Sequence, residues 1–367
     1  MKKINFWETD VGLHDYKKQK KIYEINYPNE GNYVNFLEKK IKKMLKSKYC
    51  LALPSCTSAL YVALKILNLK KEDEVLIPNI TFAATANAVY MAGAKIVLVD
   101  VNTKTLNIDL EDLRKKINKK TKAVIPVHVS GRSCDMKNIL HLARKKKIKV
   151  IEDAAEAFLS KYNGKYLGTI GDIGCFSLSP NKIFTSGQGG LLVTNNKKYY
   201  EKIKVFKTQG RVGKTTGGDD LHISPGGNFK LSNISAGLAL SQLDKIKERK
   251  RKLVSNYLNY KKGLRNIYKI KVLNFNIEKE ELPLWTDVIC ENRDKLYNFL
   301  KKNNIICRKF WFPLSKKNFY SSQNHKEFKN TLKLEKKIMW LPSSFLMKSK
   351  DQKKIIMKIS KFYQKRL

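Results

Sequence analysis

The sequence predicts an α/β fold in which a mainly parallel central sheet is flanked by helices, followed by a smaller α+β domain. Short apolar, β-branched runs alternate with helical patterns, which is the rhythm of β-α-β units. Acidic and small polar residues follow several of these runs, at the strand ends where open α/β sheets bind ligands. A length of 367 residues allows two domains. We place an N-terminal arm and a large domain at 1–247, and a small domain at 248–367.

Composition limits the kind of protein. With 42% hydrophobic residues and four tryptophans, the chain is not disordered as a whole. We expect no signal peptide and no membrane insertion, because no apolar run is long enough to cross a bilayer. The six cysteines are scattered without paired short spacings, and the five histidines are dispersed. We therefore expect reduced thiols, a cytoplasmic location and no metal site.

The net charge of +42 raises the alternative of a nucleic-acid-binding protein. Basic residues are spread through every segment, however, and no aromatic-interleaved basic motif or recognition module is present. A general bias toward lysine on solvated helix faces explains the charge, so we expect no specific nucleic-acid partner. A positive field would still speed the encounter with an anionic small substrate.

The first elements alternate as the fold class requires. Residues 1–30 are polar, and we expect no regular structure there. A helix is predicted over 32–47 and a strand over 49–53, and a second helix follows Ser55. Such a strand-to-helix junction suits a phosphate group, because free backbone N–H groups and the helix dipole converge there.

The β-α-β rhythm continues to residue 144. The predicted elements are strands at 74–77, 96–100 and 123–129 and helices at 110–117 and 135–144. His128 lies on one of these buried strands, and we interpret it as a hydrogen-bonded core histidine rather than a catalytic one.

Later elements are predicted more coarsely. We expect a helix after Asn195, a mobile or partner-facing loop over 210–227 and one long helix over 236–253. The small domain is predicted to hold two short strands, a helix and a terminal helix, with the first three at 272–275, 285–290 and 293–303.

The stretch 148–190 carries the clearest chemistry. An apolar strand over 148–151 leads to Asp153, and a second strand over 173–178 leads through a turn to Lys182. A carboxylate at one strand end and a lysine after the next are the two anchors that pyridoxal phosphate needs. The lysine forms the Schiff base and the acid pairs with the protonated ring nitrogen. The run 187–190 follows, in which three of the four residues are glycine, and their missing side chains let the backbone approach a bound group closely.

This stretch resembles the sugar aminotransferases of the DegT/DnrJ/EryC1/StrS family, a branch of the aspartate-aminotransferase-like enzymes of fold type I. The resemblance extends from about residue 31 to about residue 342. Its strongest parts are the run 152–157, Ser177 with Lys182, and the glycine-rich run 187–190. The ordered set is specific, whereas a single lysine in so lysine-rich a chain would not be.

The resemblance implies a role for each candidate site residue. Lys182 would hold the cofactor and then shuttle protons, and Asp153 would keep the ring nitrogen protonated. The other cofactor contacts implied are Thr57, Ser58 and Ser177 at the phosphate, Phe82 stacked on the ring, Glu156 at the phenolic oxygen, and Asn228 reaching the phosphate of the neighbouring subunit. Lys230, Arg308 and Trp311 match the substrate side.

The resemblance also implies a two-stage reaction in a homodimer with shared sites. Glutamate gives its amino group to the cofactor, leaving 2-oxoglutarate and pyridoxamine phosphate. That amine then condenses with the keto carbon of a nucleotide-linked 4-keto-6-deoxy sugar, and the amino sugar would feed a surface polysaccharide or another glycan.

Three alternatives stay open on the sequence. The same chemistry could act on a 3-keto sugar. The dehydratase branch of the family replaces the Schiff-base lysine with histidine, and Lys182 argues against it. A non-catalytic protein, either a regulatory pyridoxal phosphate binder or a nucleic-acid-associated protein, is disfavoured by the complete set of Asp153, Ser177 and Lys182.

Four positions near the site depart from the usual family pattern. Cys56 replaces a glycine, Gln188 a glutamate and Ser315 a histidine, while Glu156 stands where most relatives have glutamine. A carboxylate facing a phenolate requires that one of them carry a proton. We therefore predict that Glu156→Gln shifts the pH dependence of the absorbance of the bound cofactor. An unchanged titration would count against direct contact.

Overall fold

The computed structural model of the chain describes residues 3–25, 27–213 and 220–364. Within these ranges the fold is α/β, with a mainly parallel sheet flanked by helices and a second, antiparallel sheet, which confirms the predicted class. None of the described helices combines the length and the apolar composition that a bilayer crossing requires.

The described helices are α1 (Leu13–Glu24), α2 (Asn32–Leu45), α3 (Cys56–Lys65), α4 (Ala83–Ala92), α5 (Leu110–Lys116), α6 (Met136–Lys145), α7 (Lys197–Phe206), α8 (Asn233–Gln242), α9 (Ile246–Leu264), α10 (Arg293–Lys302), α11 (Lys329–Leu334) and α12 (Ser349–Gln364). Short 3-10 turns lie at Val129–Gly131, Leu243–Lys245, Leu314–Lys316 and His325–Glu327.

The described strands are β1 (Tyr49–Leu53), β2 (Glu74–Pro78), β3 (Lys95–Val99), β4 (Thr121–Val124), β5 (Lys149–Asp153), β6 (Lys161–Tyr162), β7 (Lys165–Tyr166), β8 (Ile173–Ser177), β9 (Gly190–Thr194), β10 (Arg211–Val212), β11 (Leu221–His222), β12 (Ile270–Val272), β13 (Thr286–Cys290), β14 (Arg308–Lys309) and β15 (Ile338–Leu341).

Seven of these strands form the larger sheet, in the order β1-β9-β8-β5-β4-β2-β3. Strands β8, β5, β4, β2 and β3 run parallel, and β9 lies antiparallel between β8 and β1. β2, β8 and β9 are buried along their whole length, as expected of strands covered on both faces. Because β5 and β8 are parallel neighbours, the residues that follow them meet at one edge of the sheet.

A side chain closes the outer strand of this sheet. The backbone N–H of Leu98 in β3 donates to Oε1 of Gln323 at 2.6 Å, and Nε2 of Gln323 donates to the carbonyl of Leu98 at 3.1 Å. One glutamine amide thus occupies hydrogen-bonding positions that a further strand would use.

The second sheet has the order β12-β13-β15-β14 and is antiparallel. Helix α9 packs on β12 and β13, and α12 packs on α9 and α10, which gives the expected small α+β unit. The predicted boundary between residues 247 and 248 falls inside α9. Leu253 of this helix belongs to the core of the large sheet, whereas Tyr257 and Tyr260 pack in the core of the small sheet. The position of the boundary therefore stays a prediction.

Two expectations about helices were wrong. The N-terminal arm is not irregular throughout, because α1 forms within it. Its Asp15 accepts hydrogen bonds from the N–H of Gly12, from Ser241 and from Gln242, so contacts with distant α8 hold a helix that its charged sequence does not indicate. The single helix expected over 236–253 is divided into α8 and α9 by the 3-10 turn Leu243–Lys245.

Other boundaries differ by a few residues. β4 ends at Val124 rather than 129, since Pro126 has no N–H to continue the ladder. β12 lies at Ile270–Val272, two residues before the strand predicted over 272–275. In the loop predicted over 210–227, the described part contains the β10–β11 pair, and 214–219 lie outside the described residues.

Candidate active site

A cavity of about 330 Å³ lies at the carboxyl ends of β5 and β8. Its walls come from the α3 N-terminus, from the segment before α4, from the turn after β8 and from the small domain. The lining residues are Ser55, Cys56, Thr57, Leu60, Thr81, Phe82, Ala84, Val127, Asp153, Ala155, Glu156, Ser177, Ser179, Asn181, Lys182, Gln188, Trp285, Arg308 and Trp311.

Asp153 is the last residue of β5 and is buried. Its Oδ2 accepts a hydrogen bond of 2.8 Å from Thr85 Oγ1, and its Oδ1 accepts one of 3.1 Å from the N–H of Ala155. Burial raises the pKa of Asp153 above its usual value, and the two hydrogen bonds oppose that rise. The carboxylate is thus fixed in orientation by one side chain and one backbone group.

Lys182 reaches the same cavity from the turn after β8. Its N–H donates to the carbonyl of Ser179 at 3.0 Å, which closes the turn. Its ammonium lies 3.5 Å from Oε1 of Glu156 and 4.8 Å from the ring centre of Trp285. The side chain is only 11% exposed, so the cation lies between a carboxylate and an aromatic face with little access to water.

Glu156 is buried beside Lys182. Its Oε2 accepts a hydrogen bond of 2.7 Å from the N–H of Ser130. Burial raises the pKa of Glu156, whereas Lys182 and the Ser130 N–H favour the ionised form. The pair supplies a proton donor and a proton acceptor within one small space.

The N-terminus of α3 opens into the cavity. Ser55 caps the helix, its Oγ accepting from the N–H of Ser58 at 3.0 Å. Strand β9 packs tightly against this turn, because a Cβ added at Gly190 would lie 2.3 Å from the backbone of Ser55. The helix end therefore offers backbone N–H groups and a positive dipole in a narrow space, which suits a phosphate.

Comparison with known proteins decides the family. The family model described as "DegT/DnrJ/EryC1/StrS aminotransferase family" matches residues 14–360. The chain belongs to this aminotransferase family.

Named relatives support the assignment. The enzyme "GDP-perosamine synthase" of Escherichia coli O157:H7 is 34% identical over 307 residues, which is 81% of each chain. The "UDP-4-amino-4,6-dideoxy-N-acetyl-beta-L-altrosamine transaminase" of Campylobacter jejuni is 35% identical over 301 residues, which is 76% of this chain and 79% of the relative. The putative sugar aminotransferase Spr1654 of Streptococcus pneumoniae, in its PMP form, superimposes with a TM-score of 0.93 at 22% identity and covers 99% of this chain and 100% of that one, which shows the common fold.

Members of this family are enzymes that depend on pyridoxal phosphate, and this aminotransferase is one of them. Its cavity fits that cofactor. A buried carboxylate (Asp153) and a lysine (Lys182) face one space into which a helix N-terminus opens. Those are the groups that a pyridinium nitrogen, an aldehyde and a phosphate require. The predicted family, fold class and cofactor are thereby confirmed.

The structure brings most of the predicted site residues together. Thr57, Phe82, Asp153, Glu156, Ser177, Lys182, Arg308 and Trp311 all line the cavity. Ser177 Oγ donates to Ser179 Oγ at 3.0 Å. Phe82 is half exposed, with its ring centre 6.4 Å from that of Trp311 at the cavity mouth. Their individual roles stay predictions.

Three predicted residues lie outside the cavity lining. The Ser58 hydroxyl accepts from the N–H of Ser55 at 3.0 Å and donates to its carbonyl at 2.8 Å, so the helix cap engages this side chain. Asn228 is exposed and faces Thr208 in an isolated β-bridge, whose hydrogen bonds are made by the neighbouring backbone groups, and Lys230 is half-buried. In the single chain neither reaches the cavity.

Sequence reasoning missed two residues beside the Lys182–Glu156 pair, since Trp285 contacts Lys182 and Ser130 contacts Glu156. Trp285 lies just before β13 in the small domain, and Ser130 lies in the 3-10 turn after β4. No local motif marks either of them, because both reach the site only through tertiary packing.

His128, by contrast, is the expected core histidine. Its Nδ1 accepts from the N–H of Cys134, so its Nε2 carries the proton that it donates to Glu152.

Among the described residues, no group of three or more His, Cys, Asp and Glu side chains is arranged to hold a metal ion.

Proposed function

We propose that this aminotransferase moves the amino group of glutamate to the C4 keto carbon of a nucleotide-linked 4-keto-6-deoxy sugar, as a GDP-perosamine synthase does. The observation that carries the proposal is the 34% identity to such a synthase over 81% of the chain, combined with the arrangement of Lys182, Glu156 and Asp153. Its product would enter a surface polysaccharide such as the O-antigen of a lipopolysaccharide.

The cofactor supplies an aldehyde that receives the amino group and a ring that accepts electrons when a C–H bond is broken. Asp153 would be the carboxylate that keeps the ring nitrogen protonated. Its burial strengthens the attraction to a positive ring, because little water screens the two charges.

Lys182 would transfer the proton between the two carbon atoms involved in the amino transfer. Its ammonium already lies near the carboxylate of Glu156, which can hold a proton or stabilise a positive charge as the lysine changes state. Trp285 covers one side of Lys182 and limits the access of water.

The substrate side would lie at the mouth of the cavity. Arg308 lines this region and can bind the diphosphate of a nucleotide sugar. Phe82 and Trp311 offer flat apolar surfaces beside it for a sugar or a base. Lys230, together with Asn228, would reach the site of the neighbouring subunit in a homodimer.

We place the reaction in the cytoplasm, since the six cysteines are free and buried in the described chain. Glutamate, a nucleotide-linked keto sugar and a second copy of the chain would be the partners, with no specific nucleic acid.

The first experiment is the visible absorbance of the purified protein with pyridoxal phosphate, before and after glutamate. The wild type should be coloured, and glutamate should bleach that band. Lys182→Ala should lose the band, whereas Lys161→Ala, which removes another partly buried lysine paired with Glu280, should keep it.

Amino transfer to 4-keto-6-deoxy sugars linked to GDP, UDP or dTDP, and to a 3-keto sugar, should then be followed by mass spectrometry. Preference for the GDP-linked 4-keto sugar supports the proposal, and preference for a 3-keto sugar replaces it. A protein that stays colourless with added pyridoxal phosphate would contradict both.

A further inference from the structure

Ser130 occupies an unusual position beside Glu156. It is fully buried and has φ 55° and ψ 15°. These angles lie in the left-handed region, which residues other than glycine rarely adopt. Such a conformation costs about 1 kcal/mol or more and persists only where surrounding contacts determine it. Strained residues of this kind concentrate at functional sites.

Four hydrogen bonds determine the position of Ser130. Its hydroxyl donates to Oδ1 of Asp287 at 2.8 Å and accepts from Nε1 of Trp340 at 3.2 Å. Its carbonyl accepts from the N–H of Leu284 at 2.9 Å. These three partners belong to the small domain, and the fourth bond is the one of 2.7 Å that its N–H donates to Glu156.

Asp287 is in turn fixed by a buried cation. The guanidinium of Arg132 pairs with Oδ2 of Asp287, and both side chains are almost completely buried. Arg132 also donates to the carbonyl of Thr105 at 2.7 Å and to that of Asn274 at 3.1 Å, and it lies 4.2 Å from the ring centre of Phe275. A pair with this many partners has little freedom to move.

We propose that Ser130, held by Asp287 and Trp340, is a positioning residue that keeps Glu156 in place beside Lys182. Ser130 is not among the residues that line the cavity. It acts by aiming its N–H at one oxygen of Glu156, which leaves the other oxygen facing the lysine. Residues of the small domain thereby control the position and the protonation of Glu156, which belongs to the large domain.

The charges around Glu156 give the sign of the expected effect. Lys182 attracts the ionised form, while Asp153 and Asp287 repel it, the latter being paired with Arg132. The Ser130 N–H favours the ionised carboxylate, so a looser N–H raises the pKa of Glu156 further above its usual value.

The inference rests on the proposed contact between Glu156 and the bound cofactor, and a double-mutant cycle tests it. Ser130→Gly keeps the N–H and permits the positive φ, but it removes both contacts of the hydroxyl. The pH midpoint of the cofactor absorbance should rise by about 0.5–1 unit, which is the size expected when one such hydrogen bond is weakened. Trp340→Phe removes the indole N–H but retains the bond of the Ser130 hydroxyl to Asp287. The pH midpoint should therefore rise by a smaller amount.

In the background of Glu156→Gln, Ser130→Gly should have no further effect on the midpoint, because the path runs through Glu156. Ser160→Ala is the matched control. That buried hydroxyl accepts from the N–H of Leu282 at 2.8 Å, also joins the two domains and lies outside the cavity lining.

An unchanged midpoint in Ser130→Gly would overturn the inference, as would an equal shift in the Glu156→Gln background or in Ser160→Ala. In those cases a wild type that binds pyridoxal phosphate and responds to glutamate would leave the proposed function standing. A wild type that takes up no pyridoxal phosphate would overturn both.

Discussion

Asp153 and Glu156 lie on the same short segment, yet their hydrogen-bond partners come from different parts of the molecule. Asp153 is held by Thr85 in α4, and Glu156 by Ser130 after β4. Both acids are buried and both have a raised pKa. The neighbours of each therefore decide which acid stays ionised at neutral pH, since desolvation acts on both in the same direction.

Thr85→Val should move the acid limb of the activity profile. The change removes the hydrogen bond that favours ionised Asp153, so the pKa of Asp153 rises further, and the acid is protonated at a higher pH. The acid limb of the kcat/KM profile should move to a higher pH, by about 0.5–1 pH unit. Thr194→Val is the control, because its hydroxyl bonds only backbone groups outside the cavity. Coinciding profiles for Thr85→Val and the wild type would contradict the role of Thr85.

Among single residues, the sequence predicts those site residues that belong to an ordered local motif. Asp153 and Lys182 follow two strands in the order that the cofactor requires, and both lie where that pattern predicts. Ser130 and Trp285 have no such pattern. Their relation to Lys182 depends on the packing of a small domain whose position the sequence does not give.

Helix α3 shows how one element can serve both stability and binding. Its first turn is closed by reciprocal bonds between Ser55 and Ser58, while Thr57 between them lines the cavity. The family resemblance predicts that Thr57 and Ser58 both contact the cofactor phosphate. The helix periodicity separates them, because adjacent residues point in directions about 100° apart.

Ser58→Ala and Thr57→Val should therefore have different effects. Ser58→Ala should lower the free energy of unfolding by about 1 kcal/mol, because the bonds of its hydroxyl to the N–H and carbonyl of Ser55 are lost, with little change in affinity for pyridoxal phosphate. Thr57→Val should leave stability nearly unchanged and weaken cofactor binding several-fold, by about 1 kcal/mol. Urea unfolding and cofactor titration measure the two effects. Weaker binding in Ser58→Ala alone would restore the original prediction for Ser58.

Element prediction failed where distant contacts override local preference. Helix α1 is rich in lysine and has few apolar residues, so its sequence indicates no helix. Its packing against α8 and the bonds of Asp15 stabilise it nevertheless. The turn Leu243–Lys245 remains right-handed and helical in its dihedral angles, so apolar periodicity alone could not show where α8 ends and α9 begins.

At the scale of the whole molecule, the cavity lies between two sheets, and the large core includes side chains from both. Trp285 and Trp340 of the small domain belong to the same buried cluster as Phe176 and Phe184 of the large domain. Asn228 and Lys230 do not reach the cavity of their own chain, which agrees with the proposal that they act in the neighbouring subunit.

Mixed dimers test that proposal directly. Lys182→Ala and Asn228→Ala chains, carrying different tags, are co-expressed and the heterodimer is purified. If Asn228 acts across the interface, one of the two sites is intact and about half of the wild-type activity returns, although both homodimers are impaired. A heterodimer of Lys182→Ala with the wild type gives the reference value. Activity no higher than half that of the Asn228→Ala homodimer would show that Asn228 acts within its own chain.

The amide of Gln323 at strand β3 has a consequence for the behaviour of the protein in concentrated solution. An open outer strand is a template on which strands of other molecules can add, and repeated addition leads to aggregates. Gln323 engages both the N–H and the carbonyl of Leu98, in the middle of that strand. Lys116 Nζ also donates to the Leu98 carbonyl at 2.9 Å, so a foreign strand would have to displace both side chains before it could pair there.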